Sequence, residues 1–154
     1  MLKQTIKEDL NEAVKKGDEV SRSTLRMLLA AILNREKEKK YKEKLEGNPE
    51  LTDEEMIEVI SSEVKKRKEA ITEYERGGRK DLVDKEKAEL AVLRKYLPEQ
   101  LSEEEIRKLI EEAIDEVGAK EIKDIGRVMA EIMPKVKGKA EGSQVSRIVK
   151  ELLS

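Results

Sequence analysis

The sequence contains no cysteine, histidine, tryptophan or phenylalanine. Without cysteine no disulfide is possible, and nothing in the chain calls for an oxidising compartment. Without cysteine or histidine there is no Ser–His or Cys–His pair to activate a nucleophile, and no ordinary zinc site. Three tyrosines are the only aromatics, too few to expect a module that reads nucleic acid by stacking one base after another. No apolar run is long enough to span a bilayer, and no secretory leader is recognised. These absences together give the expectation of a soluble, cytoplasmic protein that makes no membrane contact.

What the chain has in abundance is charge. Of its 154 residues 44% are charged and 37% hydrophobic. The apolar residues recur at helical spacing, so the composition reads as a folded chain with long solvent-washed helices, not as disorder. Lysine and glutamate dominate, a bias also common among heat-adapted proteins. The distribution is uneven. Residues 118–154 hold eight Lys/Arg against five Asp/Glu, whereas the preceding 117 residues hold 25 against 30. A basic end on an acidic chain suits an anionic partner, and the plainer account is that lysines keep a small domain soluble.

Read in order, the chain is all-α. Residues 3–16 form a first helix with Ile6, Leu10, Ala13 and Val14 on one face, closed by Gly17, with Asp18 free to cap the next. A second helix spans about 19–45 on a stripe of Leu25, Leu28, Leu29 and Ile32, and its charged end beyond Asn34 is expected to project or fray. Thr52 and Glu55 form a capping box for a third helix reaching Arg76. Gly77-Gly78 breaks it, and a fourth helix covers about 80–96. The two read as an antiparallel hairpin. One heptad seam is Ile57, Ile60, Val64, Arg67, Ile71 and Tyr74, and the other is Val83, Glu86, Leu90, Leu93 and Leu97. Folding at the glycines predicts that Arg67 pairs with Glu86 or Glu89, a pair that fixes register more than it adds stability.

Leu97-Pro98-Glu99-Gln100-Leu101 reads as a hinge, which divides the chain into an N-terminal helical hairpin or bundle domain (1–97) and a small C-terminal three-helix domain (98–154). Ser102 and Glu105 form a second capping box for a fifth helix ending at Gly118. Asp124 is expected to cap a sixth helix that stops at Pro134. A loop follows with Lys135, Lys137, Gly138, Lys139 and Gly142. A seventh helix is expected from Ser143 as N-cap, with Val145, Ile148, Val149 and Leu152 on its inner stripe.

No catalytic residues are singled out. Ser61-Ser62 with Lys65 is a faint reminder of serine–lysine amidases, but it lies on a helix without the surrounding glycine and serine such a site needs. Helical glutamates are solvated faces before they are metal ligands, so neither metal nor cofactor is expected. The feature most suited to binding is the basic loop ahead of the seventh helix. Lys135, Lys137, Lys139, Arg147 and Lys150 are expected to converge there, with helix-terminal amides adding a positive field for phosphate and Gly138 and Gly142 allowing close approach. Such a surface reads backbone and shape more than base sequence.

Several stretches together resemble the YqeY family, stand-alone relatives of the C-terminal tail domain of the GatB subunit of the glutamine-dependent tRNA amidotransferase. They are Ser23-Thr-Leu-Arg26-Met27-Leu28-Leu29-Ala-Ala31-Ile32, Glu73-Tyr74-Glu-Arg-Gly-Gly78-Arg79, Glu89-Leu-Ala-Val-Leu93 with Tyr96-Leu97-Pro98-Glu-Gln100-Leu101, and Gly126-Arg-Val128-Met129 with Gly138-Lys139-Ala140 and Val145. The resemblance implies a larger N-terminal helical part, a small C-terminal one, and a link to tRNA. Carbon–nitrogen ligase activity with glutamine as amido donor is associated with that family. In the amidotransferase it resides in a different domain, of which no part is present here. The expectation is therefore a non-catalytic helical module that binds tRNA or tRNA-like RNA. The alternative is a protein-interaction module docking to an amidotransferase or another complex.

Overall fold

A computed structural model describes residues 2–154, which fold into seven α-helices and one 3-10 turn, with no strand among them. The helices are α1 (Leu2–Lys16), α2 (Glu19–Glu43), α3 (Asp53–Arg76), α4 (Lys80–Arg94), α5 (Glu103–Val117), α6 (Ile125–Val136) and α7 (Gly142–Leu153), with the 3-10 turn at Ile122–Asp124 ahead of α6. The all-α expectation holds. The chain separates into two compact units, one ending at Leu97 and one running Pro98–Ser154, and each has its own apolar core.

In the N-terminal unit α3 packs on α4 and also touches α1 and α2. Its buried arc is therefore wider than one seam. Ile60, Val64, Arg67 and Ile71 are buried, and so are Met56 and Val59, whereas Ile57 and Tyr74 are only half-buried. The strict heptad reading was too narrow, because a helix touched on two sides hides more than an a/d stripe. Val14, expected on the inner face of α1, is exposed. Local chemistry sets the helix limits. Gly17 at φ +70° lets the Asp18 amide reach the Ala13 carbonyl, and Asp18 accepts from the Ser21 amide to start α2. At the start of α3, Thr52 Oγ1 accepts from the Glu55 amide and Glu55 accepts from the Thr52 amide, closing the capping box. Gly78, at φ +68°, turns the chain from α3 into α4.

The end of α2 does not fray where the apolar pattern thins. Glu36 is buried against Lys3 of α1 at 2.9 Å, and Lys39 Nζ lies 2.8 Å from Glu55 and 3.3 Å from the Glu50 carbonyl. Long-range charge contacts hold helical turns that the apolar stripe does not reach.

Arg67 is buried, with 5% of its side chain exposed. Its guanidinium donates to Glu63 Oε2 at 2.8 Å and to the Glu63 carbonyl at 3.1 Å, and Nε stands 3.3 Å from Glu89 Oε2 on α4. Glu86 lies half-buried beside them. Its carboxyl is pushed above the ordinary range by burial and by the neighbouring Glu89 charge, with Arg67 pulling the other way. One cation thus serves a group of carboxylates, and Glu63 is the member that the seam pattern did not suggest.

In the C-terminal unit α5, α6 and α7 pack pairwise around Ile106, Ile110, Val128, Ile132, Val145 and Ile148, all fully buried. Three local expectations fail here. Pro134 does not stop α6, which continues to Val136. Val136 is fully buried one turn beyond Ile132, and that burial outweighs the proline's bias and its missing donor. Ser143 is not an N-cap. Glu141 holds that position, and the Val145 amide already donates to the Glu141 carbonyl at 3.1 Å. Asp124 does not cap α6 with its side chain. Its carboxylate turns back to the amides of Lys120 and Glu121, and those bonds, with Arg127, hold its pKa down to about 2.

Two outcomes follow. Arg67→Ala strands Glu63 and Glu89 without their cation and is expected to cost about 3–5 kcal/mol in urea unfolding at pH 7, whereas Arg67→Met with Glu89→Leu recovers most of the loss. The Glu55 carboxyl is held at about 2, from an ordinary 4.5, by its bond to Lys39 and then by the Thr52 amide. A depressed folded-state pKa stabilises above the ordinary value and loses that contribution as pH falls towards the folded one. The stability difference between the wild type and Glu55→Gln should be full at pH 6 and should shrink between about pH 4.5 and pH 2. An equal difference at pH 2 would refute the assignment.

Candidate nucleic-acid interface

The loop between α6 and α7 is short and braced. Gly138 takes φ +76°, which a side chain would resist, and the amides of Lys139 and Ala140 fold back onto the Val136 carbonyl at 2.8 and 3.0 Å. Two of its carbonyls are occupied. Gln100 Nε2 donates to the Gly138 carbonyl at 2.8 Å, and the Leu101 amide donates to the Lys139 carbonyl at 2.9 Å. The segment read as a hinge therefore straps this loop. Gly142 is an ordinary helical residue whose Cβ would meet the Met133 side chain at an ordinary 3.7 Å, so of these two glycines only Gly138 is required by its backbone.

Along α7 a shallow groove of about 500 Å³ is lined by Ser143, Ser146, Arg147, Lys150, Glu151 and Ser154. These residues occupy the face opposite the buried Val145, Ile148 and Val149. From Ser143 to Ser154 the row extends about 16 Å at the helical rise. The serines were not among the expected site residues. Their signal was available, since they fall at helical spacing on the polar face of an amphipathic helix.

The structure divides the five expected cations. Arg147 and Lys150 line the groove, whereas Lys135, Lys137 and Lys139 do not. Lys135 sits 3.3 Å from Glu116 of α5 and 3.3 Å from Glu131, and these hydrogen bonds raise its pKa. Arg147 donates to Glu151 at 2.8 Å and to Glu103 of α5 at 3.1 Å, and its pKa is raised by the same partners, Glu103 foremost. Arg107 joins this network through Glu151 at 2.7 Å. Exposed ion pairs of this kind contribute about 0–1 kcal/mol, so an incoming phosphate can replace a carboxylate at little cost. Lys139 and Lys150 have no ion pair among the described residues. At the start of α7, Glu141 places a carboxylate where the helix dipole was expected to favour phosphate. No group of three acidic side chains among the described residues could hold a metal ion, and no described helix is long and apolar enough to cross a membrane.

A chain folded into two helical units, with a basic, serine-lined helix face in the second, belongs to the all-α class of proteins. Within that class, residues 3–153 match the family described as YqeY-like protein, and the chain belongs to that family. It is 32% identical over 149 residues to "Altered inheritance of mitochondria protein 41, mitochondrial" of Pyrenophora tritici-repentis, covering 94% of this chain and 77% of the relative. It is 29% identical over 134 residues to the protein of the same name in Saccharomyces cerevisiae, covering 82% and 68%. An uncharacterized protein of Schizosaccharomyces pombe is 32% identical over 101 residues, covering 66% and 76%. These names correct the expectation of a cytoplasmic protein, since the Pyrenophora and Saccharomyces relatives are named as mitochondrial. A chain without cysteine shows only that it does not depend on disulfides. It does not say which compartment holds it.

Proposed function

We propose that this chain is a non-catalytic module that binds tRNA or tRNA-like RNA through its C-terminal unit. The observation that carries the reading is the α7 groove, which sets Arg147 and Lys150 beside Ser143, Ser146 and Ser154. Cations and hydroxyls in a row are the groups that contact phosphate and sugar oxygens and position a nucleic acid without reading its sequence. Lys139 and the left-handed Gly138 add a cation on a braced loop. Mitochondria carry out their own translation, so a tRNA ligand agrees with the names of the relatives.

A second reading is favoured by a separate observation. Val20, Met27 and Leu33 of α2 are 40–51% exposed, and apolar surface of this kind suits docking to a protein such as an amidotransferase complex.

Salt separates the two. If Lys139, Arg147 and Lys150 each neutralise one phosphate, affinity for tRNA should fall about 40-fold between 50 and 200 mM salt. In fluorescence anisotropy, Lys139→Glu with Lys150→Glu should weaken binding at low salt and flatten the logarithmic salt slope by about two. Absence of binding at 50 mM, or a salt-independent affinity, would overturn the RNA reading in favour of a protein partner.

A further inference from the structure

In the C-terminal unit the lysines without an ion pair among the described residues, Lys108, Lys120, Lys139 and Lys150, are spread along the chain, and a denser set lies at the far end of α2. Lys37, Lys40, Lys42 and Lys44 have no ion pair among the described residues. Their neighbours are committed elsewhere. Arg35 faces Glu38 and Glu58, Glu36 is buried against Lys3, and Lys39 is bonded to Glu55 and acted on by Glu43. Amid these lysines stands Tyr41, 85% exposed. The other two tyrosines are half-buried, and Tyr96 spends its hydroxyl on Asp9 at 2.6 Å. Lysines near a helix C-terminus complement the dipole, which accounts for some of the charge. It does not account for an aromatic ring left almost wholly in water, since burial is what ordinarily stabilises a tyrosine.

The helix geometry makes these residues one surface. Lys37 and Lys44 lie four residues before and three after Tyr41, on its face, and Lys40 and Lys42 flank it. Lys44 takes the left-handed C-cap position (φ +51°), where glycine is the usual occupant, so a cation stands at the helix end. The position is fixed. Lys39 ties this stretch to Glu55 and the Glu50 carbonyl, and the amides of Lys44 and Leu45 both return to the Lys40 carbonyl. The tip thus offers a flat π-face beside exposed cations on an anchored helical turn. An unpaired nucleotide answers both features, its base against the ring and its phosphates against the ammonium groups. A membrane surface would need an apolar face, and here only Leu45 accompanies the ring.

We infer that the Lys37–Lys44 end of α2 is a contact site for unpaired RNA, in which a base stacks on Tyr41 and Lys37, Lys40, Lys42 and Lys44 take the adjoining phosphates. The inference extends the RNA reading to a site in the other unit and does not need the α7 groove to hold.

The test uses the full chain and a fluorescein-labelled single-stranded RNA of about twelve nucleotides, with a duplex RNA of the same length for comparison. Tyr41→Ala should weaken single-strand binding about tenfold, because stacking on an aromatic ring is worth about 1–3 kcal/mol per base. Tyr41→Phe should restore it, and duplex binding should not change. Replacing the four lysines by glutamine should reduce the logarithmic salt slope by about three. Circular dichroism of each variant checks that α2 persists. If the Tyr41 and lysine variants bind as the wild type does while Lys139→Glu with Lys150→Glu loses affinity, the α2 site is refuted and the groove stands. If the α2 variants lose affinity and the groove variant does not, the site stands and the groove reading falls. A wild type that binds neither RNA refutes both.

Discussion

A guanidinium enclosed between two helices is tolerable only if its charge is answered from both of them, and that requirement organises the N-terminal unit. Arg67 reaches Glu63 one turn earlier on its own helix and Glu89 on the next. The first contact follows from the 3.6-residue repeat. The second exists only if α4 returns along α3 in one register, which the Gly77–Gly78 turn sets. Sliding α4 by one turn, about 5.4 Å, would carry Glu89 away from its cation, leaving both buried. Apolar contacts alone are less exacting, because Ile, Val and Leu can exchange places in a seam with little change in volume. Ionic pairing supplies the register and aliphatic burial supplies most of the stability.

The sequence was legible wherever the information is local. Both capping boxes, the glycine termini at Gly17 and Gly118, and the Asp18 cap depend on residues within one turn of each other, and each forms as its spacing predicts. Failures occur where a distant partner decides. Pro134 was read by its dihedral preference, but Val136 is drawn into a core built by residues up to 30 positions away. Lys135 and Arg147 were read as available cations. Glu131 and Glu151, four residues away, were within reach of helical spacing, but the partners on α5 are Glu116, 19 residues earlier, and Glu103, 44 residues earlier, separations at which helical spacing says nothing. The α7 serines were missed for a different reason. A hydroxyl on a polar face is unremarkable until the lysine and arginine beside it are known to share a groove.

Counting charges and counting available charges give different maps of this molecule. By composition the C-terminal 37 residues are the basic part and the rest is acidic. By pairing, Lys135 and Arg147 are among the cations there that are bonded to carboxylates, whereas four lysines near Tyr41 have no ion pair among the described residues. Net charge governs attraction at a distance, and unpaired groups govern what is gained on contact, because a paired cation must first give up its partner.

Many ion pairs of the helical surface join residues three or four apart, as Arg22 with Glu19, Arg76 with Glu73 and Arg127 with Asp124 do. Each is a two-letter unit, replaceable in either order or by neutral residues without disturbing anything beyond its own turn. A protein surfaced in this way can drift quickly over most of its length, provided that each helix keeps one apolar arc and the few long-range ionic ties. Relatives that cover most of this chain at about 30% identity are what such a surface allows. In an alignment of this family, the positions held against that drift would separate the ties that hold the fold from the groups kept for a ligand.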